Sequence, residues 1–209
     1  MGIRESIEWR LKQFERKLYL SDRRKRLNKP GFTVICSNCT GAVMMHDLGL
    51  EFNTPFVNLA VEMNDFVKMV RNLPYYMSLE MEQVKDSSKE YPVGMLGDIR
   101  IELIHYPDFN KAKEDWDRRK KRINWDDLVI IGSQKDGATE KTLKEFDALP
   151  YPNKMILTVR EYPEIRSAVY VPQFVKDGQL IILTNWKKRF LHRRFLDDFD
   201  YVTWLNNRK

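Results

Sequence analysis

The sequence is short of the residues and motifs that would place it in several common protein classes. Only two of its 209 residues are cysteine, and no apolar run approaches the length of about 20 residues that spans a bilayer. The segment MGIRESIEWR also lacks the apolar core of a secretory signal. We therefore expect a cytoplasmic protein whose cysteines stay reduced.

Signatures of nucleotide-binding and hydrolytic sites are missing as well. The sequence contains no GxxxxGKS/T, no GxGxxG and no GxSxG. P-loop, Rossmann dinucleotide and serine-hydrolase functions therefore have no motif in their favour. The sequence does not identify a cofactor.

The amino-acid composition is typical of a globular protein, and the charge is unevenly distributed along the chain. Apolar residues make up 43% of the chain and aromatic residues 12%, which describes a folded protein with a sizeable core. The net charge is +6, and residues 1–30 alone carry ten Lys or Arg against four Asp or Glu. Because the excess charge is confined to an N-terminal arm, we expect no nucleic-acid partner.

Periodic patterns predict an α/β fold. Ile3, Ile7, Leu11, Phe14 and Leu18 recur at helical spacing, and this helix should end before the Pro-Gly pair that follows. Strand, helix and strand then alternate, which favours a mainly parallel sheet flanked by helices. The further predicted elements are strands at 32–36, 100–105, 128–131 and 155–159, helices at 63–73, 108–123, 139–149 and 186–205, and a β-hairpin formed by 169–174 and 180–183.

These elements divide the chain into three segments. Residues 1–30 form a basic amphipathic helix, residues 31–160 an α/β core domain, and residues 161–209 a smaller subdomain of hairpin and helix packed on the core. An apolar stripe on a basic helix is typical of segments that bind an anionic membrane surface. That interpretation predicts a peripheral position at the inner face of the membrane. Packing of the helix on the domain is the alternative.

Two cysteines at CxxC spacing lie in the turn after the first predicted strand. Cys36 and Cys39 fit a redox pair at a helix N-terminus, or half of a metal site with His46 and His105. An ordinary tight turn is a third interpretation. In a fourth, short residues form a nest of backbone N–H groups that binds a ligand outside the strand end. That nest would consist of Ser37, Asn38, Cys39, Thr40 and Gly41.

The blocks SNCTG, LGLEFNTPFVNL, DFVKMVRNLPYYM, HYPDFNKAKEDWDRRKKRIN and FLDDFDYVTWLN fall between residues 32 and 205. Together they resemble an uncharacterised bacterial domain family whose members are described as exopolysaccharide-biosynthesis proteins and sometimes as glycosyltransferases. The family turn reads Ser-Asn-Asn-Cys-x-Gly. Asn38, Cys39 and Gly41 match it, whereas Cys36 stands where the family has a small polar residue. The resemblance therefore implies that the CxxC spacing is incidental.

The function that the resemblance implies is transfer of a sugar from a nucleotide-activated donor during polysaccharide synthesis. A nucleotide-sugar is then the expected small-molecule partner. A non-catalytic binding or scaffold protein of the same pathway is the alternative function. A thiol oxidoreductase that uses the CxxC pair is the third.

Further candidate site residues lie at the ends of predicted elements. His105 ends a strand within a His-Tyr pair that the resemblance covers, so it is a candidate general base with Tyr106 as a substrate contact. Asp136 directly follows another strand and is the acidic candidate. Arg119 and Arg122 share a face of one predicted helix and fit a diphosphate. Capping, turn or solvated-charge roles are the alternatives.

Residues 115–117 and 198–200 each match the Asp-x-Asp motif of metal-dependent glycosyltransferases. Residues two apart on a helix point about 200° apart and cannot chelate one ion. Neither pair follows a predicted strand. No metal site is predicted.

Overall fold

The computed structural model describes residues 3–187 and 192–209, and in the first helix it describes the side chains from Trp9 onward. The long first helix ends before Pro30, as its sequence pattern predicts. A short buried strand and a second helix follow it. These elements are α1 (Ile3–Arg26), β1 (Thr33–Cys36) and α2 (Thr40–Leu48).

The next part of the chain contributes two helices and a small antiparallel sheet. The helix predicted at 63–73 divides at Asn72, and Pro74 lies in the first turn of the second piece, where no intrahelical N–H bond is lost. The elements are α3 (Met63–Arg71), α4 (Leu73–Ser78), β2 (Glu82–Val84), β3 (Val93–Leu96) and β4 (Ile99–Glu102).

A helix, strand, helix and strand come next, as predicted. Asp108 caps the first of these helices, since its side chain accepts a hydrogen bond from the N–H of Lys111 at 2.8 Å. Thr139 caps the second through the N–H of Thr142 at 3.3 Å. The elements are α5 (Phe109–Lys120), β5 (Leu128–Ser133), α6 (Glu140–Asp147) and β6 (Lys154–Thr158).

The remaining elements are short. Asp177 and Gly178 have φ values of 51° and 72°, which are the left-handed conformations of a two-residue hairpin turn. The elements are β7 (Ala168–Tyr170), β8 (Val175–Lys176), β9 (Gln179–Leu180) and α7 (Tyr201–Asn206).

Four parallel strands form the central sheet in the order β1-β5-β6-β7. Val34 lies beside Val129, and Ile131 beside Met155. Strands β2, β3 and β4 form a separate antiparallel sheet, and β8 pairs with β9. The predicted fold class, a mainly parallel sheet flanked by helices, is confirmed.

Buried side chains alternate between the two faces of the central sheet, because successive strand residues point to opposite sides. On the first face, Ile35, Ile130 and Ile156 belong to a core that includes residues of α3, α5 and α6. On the second face, Val34 and Ile131 belong to a core that includes residues of α2, β9 and α7. Both faces are thus covered, as a parallel sheet requires.

Helix α1 packs on the second face through its polar side. Arg16 is 5% exposed, and its guanidinium nitrogens lie 2.6 Å from Asp47 Oδ2 and 2.5 Å from Asp197 Oδ2. Arg23 is equally buried and donates to the carbonyl oxygen of Asp197 at 3.1 Å. The buried arginines therefore join α1 to two other parts of the chain.

The apolar stripe of α1 points away from this contact. Leu11, Phe14 and Leu18 are all exposed. Ile3 and Ile7, the other members of the predicted stripe, lie outside the described side chains. The helix that the sequence predicts is therefore present, but the described residues of its apolar stripe do not anchor it.

The strand predicted at 100–105 is shorter and belongs to the other sheet. It ends at Glu102 and pairs antiparallel with β3. The chain then turns, with the N–H of Tyr106 donating to the carbonyl of Leu103 at 3.1 Å. The helix predicted at 108–123 ends at Lys120, where the N–H of Arg122 closes a tight turn onto the carbonyl of Arg119 at 2.9 Å.

The predicted hairpin arm at 169–174 is wrong. Residues 168–170 pair in parallel with β6 and complete the central sheet. Pro172 then opens a turn of 3₁₀ helix, since proline has no N–H for a strand ladder. The hairpin itself exists, but its two arms are the two-residue strands β8 and β9.

The single C-terminal helix predicted at 186–205 is also wrong. Trp186 pairs with Arg194 as an isolated β-bridge, and residues 188–191 lie outside the described part of the chain. A 3₁₀ turn at Phe195–Asp198 precedes α7. Asp200 starts α7 anew, because its side chain accepts from the N–H of Thr203. Aspartates that favour turns and caps thus divide the predicted helix.

In the described ranges no helix is both long and apolar enough to cross a bilayer. The division of the chain at residues 30 and 160 remains a prediction. One strand of the central sheet, β7, comes from the segment after residue 160.

Candidate functional site

The turns after β1 and β5 meet at the carboxyl edge of the central sheet, where open α/β sheets bind ligands. The side-chain amide of Asn38 donates to Oγ of Ser133, the last residue of β5, at 3.0 Å. Its carbonyl oxygen accepts from the N–H of Thr40 at 3.0 Å. The Asn38 side chain, in the turn after β1, therefore links the end of β5 to the first residue of α2.

The predicted nest at residues 37–41 divides into packing residues and lining residues. A Cβ on Gly41 would lie 2.7 Å from atoms of Cys36 and Val34, so glycine allows α2 to pack closely on β1. Ser37 is buried, and its carbonyl accepts from the N–H of Val61 at 2.9 Å. The residues of the turn that line a cavity are Asn38, Cys39 and Thr40.

Neither cysteine has the environment of an activated thiol. Cys36 is 1% exposed, and burial raises the pKa of its thiol to about 11. Burial also raises the pKa of Cys39, whose Sγ lies 3.7 Å from the carbonyl oxygen of Leu59. A redox-active thiol at a helix N-terminus has a lowered pKa. The geometry therefore gives no support to the oxidoreductase hypothesis.

A cavity of about 450 Å³ opens at this edge of the sheet. Its lining includes Asn38, Ser133, Asp136 and residues 180–185, and we call it the strand-edge cavity. Its volume is in the range of sites that bind small molecules. Residues 180–183, which were predicted as a hairpin strand, contribute to its wall.

A second cavity, of about 470 Å³, adjoins the first. The two share Cys39, His105 and Thr184 in their walls. We call it the arginine cavity because Arg119 and Arg194 both line it. The N-terminal end of α2 thus borders both cavities through Cys39.

Arg119 is held in place by neighbours that are themselves buried. It is 8% exposed, its Nη1 donates to the hydroxyl of Tyr106 at 2.7 Å, and its Nη2 lies 3.2 Å from Asp115 Oδ2. Burial raises the pKa of Tyr106, against the lowering effect of Arg119. Burial would raise the pKa of Asp115, but the hydrogen bond from Arg118 and the charge of Arg119 outweigh it and lower that pKa. The guanidinium is therefore fixed before any ligand binds.

Arg194 reaches the same cavity from the C-terminal segment. Its guanidinium carbon lies 4.1 Å from the ring centre of Trp186, and its Nη1 donates to the carbonyl of Thr184. Burial lowers the pKa of Arg194. Its Nε is buried and has no hydrogen-bond partner within the part of the chain that the structure describes. A buried donor without an acceptor is costly.

The two predicted catalytic residues reach one cavity from different elements. His105 is exposed, lines both cavities, and donates its backbone N–H to the carbonyl of Asn58 at 3.3 Å. Asp136 lines the strand-edge cavity and has a φ of 51°. Its carbonyl accepts from the N–H of Met63 at 3.0 Å. His105 and Asp136 therefore share the wall of the strand-edge cavity.

Two other predicted site residues line neither cavity. Tyr106 is buried, and its hydroxyl accepts a hydrogen bond from Arg119, which lines the arginine cavity. Arg122 lies beyond the end of α5 and pairs with Glu51. The expected partnership of Arg119 with Arg122 is not formed, because the helix ends between them. The second guanidinium group in the arginine cavity belongs to Arg194 and not to Arg122.

Sequence reasoning missed Lys135, Arg194 and Thr184 as lining residues. Lys135 precedes the candidate Asp136 in the turn after β5. Its position after a strand could therefore have identified it as a lining residue. Arg194 and Thr184 belong to a segment without regular periodicity. No spacing rule relates that segment to Arg119.

Residues 3–187 and 192–209 contain no group of three or more His, Cys, Asp or Glu placed to hold a metal ion. In the first Asp-x-Asp pair, Asp115 contacts Arg118 at 2.6 Å and Asp117 contacts Lys113 at 2.7 Å. The two carboxylates point to different partners, as helical spacing predicts.

The fold and these cavities define an α/β protein with a cationic, ligand-sized site at the carboxyl edge of a parallel sheet. The chain belongs to the family described as "Domain of unknown function (DUF1919)", which matches residues 10–206. A protein of Haemophilus influenzae (strain ATCC 51907 / DSM 11121 / KW20 / Rd), described as "Uncharacterized protein", is 38% identical over 186 residues. That match covers 88% of this chain and 88% of the Haemophilus protein.

Proposed function

We propose that the protein binds a nucleotide-activated sugar across the two cavities and transfers the sugar to an acceptor in exopolysaccharide or cell-envelope polysaccharide synthesis. The resemblance of the sequence blocks suggests the pathway. The ligand class is supported by one observation: Arg119 and Arg194 line a single cavity that adjoins the strand-edge cavity. Lys135 adds a third cation, and Asp136 is the one carboxylate in either wall as described.

The chemistry of the two cavities suggests how such a donor would lie. Guanidinium groups bind phosphate oxygens in paired hydrogen bonds, so the diphosphate belongs in the arginine cavity. The first turn of α2 adds the positive end of a helix dipole. Asn38, Thr40 and Ser133 offer amide and hydroxyl groups for the rest of the donor in the strand-edge cavity.

His105 lies between the two cavities, where the transfer would occur. An acceptor hydroxyl attacks the anomeric carbon of the sugar, and the bond from that carbon to the diphosphate oxygen breaks. The electron pair stays on the nucleoside diphosphate, whose developing charge Arg119 and Arg194 stabilise. The proton of the acceptor hydroxyl passes to the imidazole of His105.

Binding is tested by calorimetric titration with UDP, GDP, CDP and their sugar conjugates, each with and without Mg²⁺ or Mn²⁺. We expect saturable binding of one nucleotide class. Arg119→Gln and Arg194→Gln should each weaken it about tenfold or more, because each removes charged hydrogen bonds. Arg122→Gln is the matched control, since Arg122 pairs with Glu51 outside the cavities. Absence of binding by every nucleotide contradicts the proposal.

Catalysis is tested separately by release of nucleoside diphosphate from the bound sugar conjugate. His105→Ala should keep the affinity for the nucleotide but slow this release by about 100-fold or more. If the wild type binds the conjugate and releases nothing with polysaccharide acceptors present, the protein is the non-catalytic binding protein of the pathway.

A further inference from the structure

Helix α1 presents an apolar stripe to solvent. Leu11, Phe14 and Leu18 are 56%, 61% and 57% exposed, and their spacing of three and four residues places them on one side of the helix. We call these three residues the outer stripe. An amphipathic helix of a globular protein normally turns such a stripe toward the core. In this protein the stripe faces outward.

The opposite side of α1 is fixed to the body of the protein. Arg16 is held between the buried carboxylates of Asp47 and Asp197, and Arg24 Nε donates to the carbonyl of Asp47 at 2.9 Å. Turning the helix to bury the outer stripe would expose Arg16 and leave two buried carboxylates without a cation. The outer stripe is therefore held at the surface by the packing of the folded protein.

Basic side chains border the outer stripe. Arg10 and Lys17 are exposed and each precedes a stripe residue, so at about 100° per residue they form one edge of the stripe. Lys25 is exposed and continues the line of the stripe two turns further on. Asp22 is an exposed acid on the same side of α1, and Glu15, on the other edge of the stripe, is half-buried and ion-paired. The surface thus combines apolar side chains with an excess of positive charge.

We propose that this side of α1 docks on an anionic lipid surface, with the outer stripe at the boundary of headgroups and acyl chains. Helices of this kind lie in the plane of the membrane, and basic residues beside the apolar face contact acidic headgroups. The proposal does not depend on the proposed function. It rests on the outer stripe, its basic border and the anchoring of the opposite side.

A second copy of the chain fits this surface less well. The outer stripe covers eight residues, or about 12 Å of helix, which is short for an interface that buries about 800 Å² on each partner. Pairing two copies would also bring Arg10 and Lys17 of one copy close to those of the other. Like charges in an interface oppose association.

The test is co-sedimentation of the full chain with vesicles of phosphatidylcholine alone and with vesicles of equal parts phosphatidylcholine and phosphatidylserine. We expect binding to the acidic vesicles that is lost in high salt. Leu11→Ser, Phe14→Ser and Leu18→Ser together should weaken it about tenfold or more. Tyr75→Ser is the matched control, because Tyr75 is 52% exposed and belongs to α4, which packs on the other face of the sheet.

Charge is tested by Arg10→Glu with Lys17→Glu, compared with Lys85→Glu with Lys89→Glu in the loop between β2 and β3. Both pairs change the net charge equally, but only the first should weaken binding by about tenfold or more. All the replaced side chains are exposed, and thermal unfolding verifies that the variants fold.

Three outcomes would overturn the proposal. They are equal binding to neutral and acidic vesicles, equal effects of the two charge reversals, and unchanged binding by the triple serine variant. A protein that binds no vesicle but forms dimers that the triple serine variant abolishes would show that a second copy covers the outer stripe.

Discussion

Neighbouring residues in the turn after β1 have different roles. Asn38 joins β1, β5 and α2 through its amide group and also lines the strand-edge cavity. Gly41, three residues later, lies against Cys36 and Val34 and allows the helix to approach the strand. The turn therefore supports both packing and ligand contact, and substitutions should separate the two.

Gly41→Ala should destabilise the protein by about 1–3 kcal/mol, because the added Cβ would lie 2.7 Å from buried atoms of Cys36 and Val34. The measurement is urea unfolding. Gly178→Ala is the comparison, since Gly178 has a positive φ but nothing within 4 Å of the added atom. It should cost about 1 kcal/mol from backbone strain alone. Equal stability of Gly41→Ala and the wild type would contradict close packing at this position.

The two thiols should react slowly in the folded protein. A pKa raised from 9.0 to about 11 leaves Cys36 with about 100-fold less thiolate at pH 8, and Cys39 is shifted in the same direction. Reaction with a disulfide reagent should therefore accelerate as pH rises above 8 and become fast on unfolding. The Cys39→Ser variant isolates Cys36. A rate that levels off near pH 7 would instead indicate an activated thiol and favour the oxidoreductase.

Among the elements, α1 shows how packing can reverse the usual orientation of a helix. Its arginines match two buried carboxylates that belong to distant parts of the chain. Ion pairs of this kind are costly to separate once buried. They set the rotation of the helix, and the outer stripe is exposed as a consequence.

Arg16→Met should destabilise the protein by about 3–5 kcal/mol, since it leaves Asp47 and Asp197 buried without their shared cation. Urea unfolding gives the free energy, and limited proteolysis reports whether α1 has detached. Arg10→Met is the matched control on the exposed side of the same helix. Similar losses in the two variants would mean that the buried pairs do not fix α1.

Helix α5 carries Arg119 to the arginine cavity, and its start depends on one cap. Asp108→Ala should cost about 1 kcal/mol, because the N–H of Lys111 loses its acceptor. Asn110→Ala, an exposed change in the first turn, should cost less. Thermal unfolding measures both. A loss from Asn110→Ala as large as that from Asp108→Ala would show that the cap contributes nothing of its own.

For the whole molecule, the central sheet connects residues from almost the entire chain. Strand β7 follows residue 160 and pairs with β6, and the second-face core joins Val34 and Val129 to Leu196 and Tyr201. Contacts that extend over so much of the sequence favour a single cooperative unfolding transition.

Leu196→Ala tests this cooperativity. Leu196 is fully buried in the second-face core, so the variant should lose about 2–5 kcal/mol. Hydrogen exchange should accelerate as much in α5, on the first face, as in α7. If faster exchange stays within residues 161–209, the predicted division at residue 160 marks a separately folding subdomain.

Features of the fold that depend on neighbours along the chain could be predicted from the sequence. Sequence patterns identified helices at α1, α3, α5 and α6, and short apolar runs identified the strands β1, β5 and β6. The parallel arrangement followed from the alternation of strands and helices. Asn38, His105, Asp136 and Arg119, which line the cavities, were candidates because each lies at an element end or on a predicted helix.

Contacts between distant residues could not be predicted in this way, because they are set by tertiary packing. Pairing with β6 made residues 168–170 a strand of the central sheet, and the end of α5 before Arg122 left Arg194 as the partner of Arg119 in the cavity wall. The rotation of α1 was set by Asp47 and Asp197. Such contacts depend on long-range packing and charge pairing. Periodicity along the chain carries no information about them.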